Sequence, residues 1–240
     1  MGRLRGAAPV SSAALAIGAR LRASAGPSRV NQADAARRFV HDHSLHRIDA
    51  GHARAFDTPW VLERLLERAD GAREPPHLSC GPRAFALRDV LRALEIPVRL
   101  VSVISDEEAD LPTHTFVEVQ GEDGSWHVQD PDYDVVYGDR ELGGRLSARA
   151  LLFGGLERVE PRSSTAHGWA ATRTAVLRDR YFEAVLYDRR PSYERSILLV
   201  NAARFELDRP LAGQAGRTAR SLLAERYDSP LILVDAAGPH

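Results

Sequence analysis

The sequence predicts an α+β fold in which a helix headed by the chain's single cysteine packs on an antiparallel sheet. Three observations predict it. After Cys80, the apolar residues Ala84, Leu87, Val90, Leu91 and Leu94 recur at three- and four-residue spacing, one face of a helix. Three β-type runs follow in close succession, over residues 98–104, 113–119 and 125–130, separated by polar turns. A second helical pattern, Thr58–Ala69, precedes the cysteine across a loop with two prolines.

Composition sets the frame. The chain has 240 residues, 44% hydrophobic and 27% charged, the make-up of a soluble globule. Its formal net charge of -1 offers no global attraction to nucleic acid or to a membrane, and neither is expected as a partner. One cysteine excludes an internal disulfide and fits a reducing compartment, so a cytoplasmic location is expected. Every basic residue is arginine; there is no lysine. The expected organisation is an N-terminal tail or helix over 1–30, a core over 31–160, and a C-terminal extension packed on the core over 161–240.

Taken in order, the first thirty residues carry five arginines and no acid around a short apolar run, Ala7–Ala19. That is the outline of a signal segment, but Arg20 and Arg22 follow at once, and a tail or packed helix is the reading. No run reaches the eighteen or so apolar residues that a membrane helix needs. Residues 31–46 pattern as a short helix. In the next helix Thr58 is the expected N-cap, with Pro59 behind it and Val61, Leu62, Leu65, Leu66 and Ala69 buried. Pro82 suits the first turn of the Cys80 helix, and Pro97 ends that helix. Val98–Ile104 is β-branched and buried. In Thr113–Val119, His114 and Phe116 share a face; in Ser125–Asp130, Trp126, Val128 and Asp130 do. A tight hairpin through Gly121–Gly124 lays these two strands side by side, so imidazole and carboxylate can meet. Further on, 146–153 reads as a short helix, 171–187 as a helix, 216–227 as a helix and 230–234 as a strand. Residues 196–200 fit strand or helix equally.

The chemistry collects at Cys80. A helix N-terminus gathers unpaired N–H groups and the positive dipole end, and both favour thiolate over thiol. His114 is the candidate base and acid, and Asp130 the group that holds its tautomer. Each has an ordinary alternative: a buried small cysteine, a strand histidine, an aspartate that forms a turn before proline. Asp132 and Asp134 compete with Asp130, which is preferred because its strand parity matches Trp126 and Val128. The backbone N–H of Cys80 is one oxyanion donor; Trp60, His77 and His127 are candidates for the second. His41, His43 and His46 are dense in potential ligands, but a helix would splay them and no downstream set matches, so no metal or cofactor is expected. Residues 105–140 hold eleven acids and one arginine, a field that would suit a cationic substrate if it faces solvent.

Cys80 with its helix and the Ile96-Pro97-Val98-Arg99 ending, His114 within His-Thr-Phe-Val-Glu-Val, and Asp130 within Trp-His-Val-Gln-Asp-Pro together resemble the transglutaminase-like (papain-like) cysteine enzyme superfamily. The resemblance spans roughly residues 58–137, about a third of the chain. Ser79 stands where that pattern often has glycine, Glu95 where a glycine commonly ends the helix, and no glutamine lies between Gln32 and Cys80. The resemblance implies a papain-like core with Cys80, His114 and Asp130 as a catalytic triad. The expected activity is thiol-dependent acyl transfer on an amide or peptide bond, with a peptide, protein or small amide as substrate. Hydrolysis comes first, transfer to an amine second, and a non-catalytic binding protein on the same fold third.

Overall fold

Serine and aspartate side chains start the N-terminal helices. In the computed structural model, which describes residues 9–47, 54–105, 113–154, 156–163, 183–187, 196–227 and 230–235, Ser11 and Ser28 accept backbone N–H bonds and open α1 (Ser12–Ala25) and α2 (Arg29–Asp42). From Ser12 on, the run with the outline of a signal segment is therefore a helix of the core, with Ala14 and Ile17 fully buried. Strand β1 (Leu45–His46) follows. Helix α3 (Thr58–Ala69) is capped by Asp57, which accepts from the Trp60 N–H at 3.3 Å. The expected cap, Thr58, is displaced one place inward, because the carboxylate before it reaches the open amide.

Strand β2 (His77–Leu78) pairs parallel with β1 and delivers the chain into α4 (Cys80–Ala93). Helix α4 is surrounded: α1, α2 and α3 pack on it from one side, and the sheet strands β3 (Val98–Ile104) and β4 (Thr113–Gln120) from the other. Gly18 lets α1 come close, since a Cβ there would stand 3.2 Å from the Ala93 Cβ. The exit of α4 is a Schellman turn, with Glu95 N–H bonded to Arg92 O and Ile96 N–H to Leu91 O. Glu95 takes the left-handed position, φ 61°, that glycine fills at lower cost.

Strand β5 (Trp126–Gln129) pairs antiparallel with β4, Val117 opposite Gln129. Strands β6 (Val135–Asp139) and β7 (Val159–Ser163) form a separate two-stranded sheet, with α5 (Ala148–Phe153) between them in sequence. Three later strands, β8 (Ala184–Tyr187), β9 (Ile197–Asn201) and β10 (Leu231–Asp235), complete a six-stranded sheet in the order β10-β9-β8-β3-β4-β5. Its pairings are antiparallel except β9 with β10. The architecture is thus mixed α+β, with the cysteine-headed helix lying on the sheet.

The strand residues divide among three clusters, of which the third joins Ile104 to β8, β9 and α6 (Ala219–Arg226). Leu100, Val117 and Val119 join the helical cluster, whereas Val101, Val103, Phe116 and Val128 meet Tyr133 and α5. Three further expectations need correction. The helix expected over 31–46 ends at Asp42, and Leu45–His46 is strand β1, paired with β2. Of the helix expected over 171–187, residues 171–182 lie outside the described set, and Ala184–Tyr187 is strand β8. All four of its residues are buried, so no alternation marks it. The last helix, α6, begins three residues later than Gly216, which turns at φ 74°; Thr218 and Ser221 form its capping box.

Candidate active site

The site is assembled by the pairing of β4 and β5 and by the N-terminus of α4. His114 opens β4 opposite Val103, and its side chain is on the face of Phe116. Asp130 follows β5 and closes a reciprocal bridge with Val135, both N–H···O distances 3.0 Å. Residue 130 lies one step diagonally from His114 across the ladder, within reach of side chains on the same face. His114 Nε2 meets Asp130 Oδ2 at 2.7 Å, and both residues are buried, 4% and 0% exposed. The other Asp130 oxygen accepts from the backbone N–H groups of Asp132 (2.9 Å) and Tyr133 (3.4 Å), which fixes the carboxylate's rotation.

Cys80 is partly buried at the head of α4, within electrostatic reach of His114. With Nε2 taken by Asp130, Nδ1 is the ring nitrogen left for the sulfur. Burial by itself disfavours the imidazolium, but the Asp130 charge and hydrogen bond, with those of Cys80, outweigh it and hold His114 well above the ordinary histidine value. The ring is flanked by Tyr133 and Phe116, with centroids at 5.1 and 6.0 Å.

The α4 N-terminus differs from those of the other α-helices. Ser79 occupies its cap position without a side-chain cap bond, whereas Ser11, Ser28, Asp57, Ser147 and Thr218 each accept an N–H. The amides at the head of α4 are therefore not covered by a cap side chain, and an oxyanion formed beside the sulfur would meet the Cys80 N–H. The three candidates for a second donor differ in their surroundings. Trp60 is flanked by the guanidinium groups of Arg54 (5.4 Å) and Arg64 (5.8 Å), and His77 is exposed on β2. His127 faces away from Asp130, lines a cleft with Glu122, Asp123 and Arg145, and is lowered to about 4 by burial and by the Arg145 charge.

The two competing aspartates are occupied separately. Asp132 Oδ1 meets Arg83 Nη1 (3.1 Å) and His46 Nδ1 (2.8 Å). Asp134 Oδ1 accepts from Arg37 Nε at 2.8 Å. His41 and His43 bond the carbonyls of Pro131 and Phe39. Among the described residues, no group of three or more histidine, cysteine, aspartate or glutamate side chains could hold a metal ion.

Two neighbours of the site escaped the sequence. Arg83 is 1% exposed and stands in line with Leu87 and Val90 on the buried stripe of α4. That register, a charge at an apolar position, was the available signal. Tyr227, just past α6, lies near Thr113, the neighbour of His114, and within electrostatic reach of Cys80. Burial raises its phenol above the usual value. No local pattern links residue 227 to residue 80.

No protein-family model matches the chain, and no curated protein matches it. Among solved structures it is similar to the crystal structure of a "putative cysteine protease" from Cytophaga hutchinsonii, at 15% identity, covering 63% of this chain, with a TM-score of 0.36. The chain spans about half the length of that protein, 47%. A likeness of that degree assigns no activity, and the functional reading rests on the side-chain geometry. Among the described residues, no helix is long and apolar enough to cross a membrane.

Proposed function

We propose that this chain is a thiol-dependent acyl-transfer enzyme of transglutaminase-like (papain-like) architecture, a cysteine peptidase or amidase acting through Cys80, His114 and Asp130. The observation that carries the reading is a buried imidazole held at 2.7 Å by a buried carboxylate, with the partly buried Cys80 at the head of α4 acting electrostatically on that ring. An imidazole clamped in this way is oriented to exchange a proton with a sulfur on its free side.

In the reaction, His114 accepts the Cys80 proton and the thiolate attacks the carbonyl carbon of the amide. The carbonyl electrons move onto oxygen, which meets the Cys80 N–H at the helix head. Collapse of this adduct breaks the C–N bond as His114 returns the proton to the leaving amine, and a thioester remains on Cys80. Water, deprotonated by His114, releases the acid and regenerates the thiol. Asp130 stays ionised throughout and supports the imidazolium. Cys80 is only partly buried, and water is the default acceptor of the thioester unless the site excludes it, so hydrolysis is the first reading.

The test is a peptide mixture incubated with the protein, with and without an added primary amine, and analysed by mass spectrometry. Hydrolysis products in both samples, lost in Cys80→Ala, agree with the proposal. Amine adducts in place of acids make the enzyme a transferase. Absence of any Cys80-dependent product, with Cys80 inert to iodoacetamide at neutral pH, leaves a binding protein.

A further inference from the structure

A guanidinium without solvent contact, one turn behind a nucleophile, requires an explanation. Arg83 is 1% exposed and sits three residues after Cys80, on the first turn of the same helix. Its Nη1 donates to the main-chain oxygen of Asp132 at 2.9 Å and to Asp132 Oδ1 at 3.1 Å, and its Nη2 donates to Ser44 O at 2.9 Å. Asp132 is as deeply buried, and its backbone N–H donates to Asp130 Oδ1 at 2.9 Å. A second arm arrives from β1, where His46 Nδ1 meets Asp132 Oδ1 at 2.8 Å. One guanidinium therefore ties three pieces of backbone: the head of α4, the end of the 44–46 segment, and the loop that carries the His114 partner.

We propose that Arg83 is a positioning residue for the thiol, acting through Asp132 to hold the head of α4 in fixed register with the Asp130–His114 pair. The inference rests on the functional reading above. Two features favour it over a role in stability alone. The path Arg83–Asp132–Asp130–His114 ends on the imidazole that faces the sulfur, so a shift of the loop is transmitted to the proton acceptor. The guanidinium also lies within electrostatic reach of Cys80 and Asp130 as well as Asp132, so its charge acts on the thiolate directly. A buried ion pair is seldom the best way to gain stability, since an apolar residue at this register would pack as well. Its fork geometry meets three oxygens that no apolar side chain could hold.

The experiment measures iodoacetamide alkylation of Cys80 as a function of pH in the full chain, for wild type, Arg83→Lys, Arg83→Met and Asp132→Asn, each with a circular dichroism spectrum and a thermal melt. Arg83→Lys keeps the charge but cannot bridge the three oxygens. Its alkylation at neutral pH is expected to fall about tenfold or more with a native spectrum. Arg83→Met should fall further. Asp132→Asn keeps the backbone N–H to Asp130 and the carbonyl for Arg83, so it folds most readily and should show a smaller loss. If the folded variants alkylate at the wild-type rate with the wild-type pH dependence while only their melting temperatures drop, the brace is structural and the proposal is overturned. A wild-type Cys80 that is inert removes the functional reading itself, a distinct result visible before any variant is compared.

Discussion

At the residue scale the central object is the His114–Asp130 contact, 2.7 Å and buried. It raises the His114 pKa well above the ordinary value against the opposing effect of burial. The resulting stabilisation is full below about pH 6.5, the unfolded imidazole value, and fades as pH climbs through the raised folded value. The proposed reaction needs the imidazolium to protonate the leaving amine, so the alkaline limb of the rate profile should follow the same titration. Asp130→Asn keeps an oxygen for the Asp132 and Tyr133 amides but removes the charge. It should move the alkaline limb to lower pH and slow turnover about a hundredfold or more, read from pH–rate profiles. A second residue prediction concerns strain. Glu95 is a non-glycine at φ 61° in an otherwise regular Schellman turn, and Glu95→Gly should stabilise the chain by about 1 kcal/mol in urea unfolding. Both positions were legible in the sequence, His114 and Asp130 from strand parity and Glu95 from its place before Ile96-Pro97. Arg83 was not, because a basic residue in an amphipathic pattern reads as solvated until its partner, forty-nine residues away, is known.

At the element scale the segment Asp130-Pro131-Asp132-Tyr133-Asp134 organises its surroundings through three buried carboxylates. Each has its own partner: His114, then Arg83 with His46, then Arg37. The acid-rich stretch that suggested attraction for a cationic substrate is, over these residues, largely neutralised from within. Asp134 itself takes φ 52°, a conformation aspartate tolerates better than most side chains. Helix α2 is fastened to this segment by Arg37 and to β5 by the Gln129 amide, which donates to Asp34 at 2.9 Å. Arg37→Met strips Asp134 of its guanidinium and should cost about 3–5 kcal/mol in denaturant unfolding. Helix α1 is held by shape. Gly18→Val forces α1 away from Ala93 and should cost about 1–3 kcal/mol, read the same way. The sequence located α3, α4, β3, β4 and β5 because amphipathic periodicity and turn residues agree there. It misplaced β8 because a fully buried strand has no polar face to betray it.

At the scale of the whole molecule, the site depends on parts distant in sequence. The sheet continues from β3 through β8 and β9 to β10, so residues beyond 180 supply half of its strands, and Tyr227 reaches the neighbourhood of Cys80. A chain ending at Ser163 leaves one edge of β3 unpaired, removes Val185, Tyr187 and Leu199 from the cluster of Val101 and Val103, and strips Ile104 of its cluster; it should aggregate in sedimentation experiments where the full chain does not. This long-range closure was invisible in the sequence, since strand neighbours eighty residues apart leave no local trace. The proposed triad could be named from the sequence because its members fall within one run of adjacent elements. The most direct measurement of the central claim is the alkylation rate of Cys80 against pH, in wild type and in His114→Gln. The account predicts rapid labelling of the wild type at neutral pH, and in the variant a slow reaction that accelerates only in alkali. Equal rates and equal pH dependence in the two proteins would contradict it, because the sulfur would then owe nothing to the imidazole beside it.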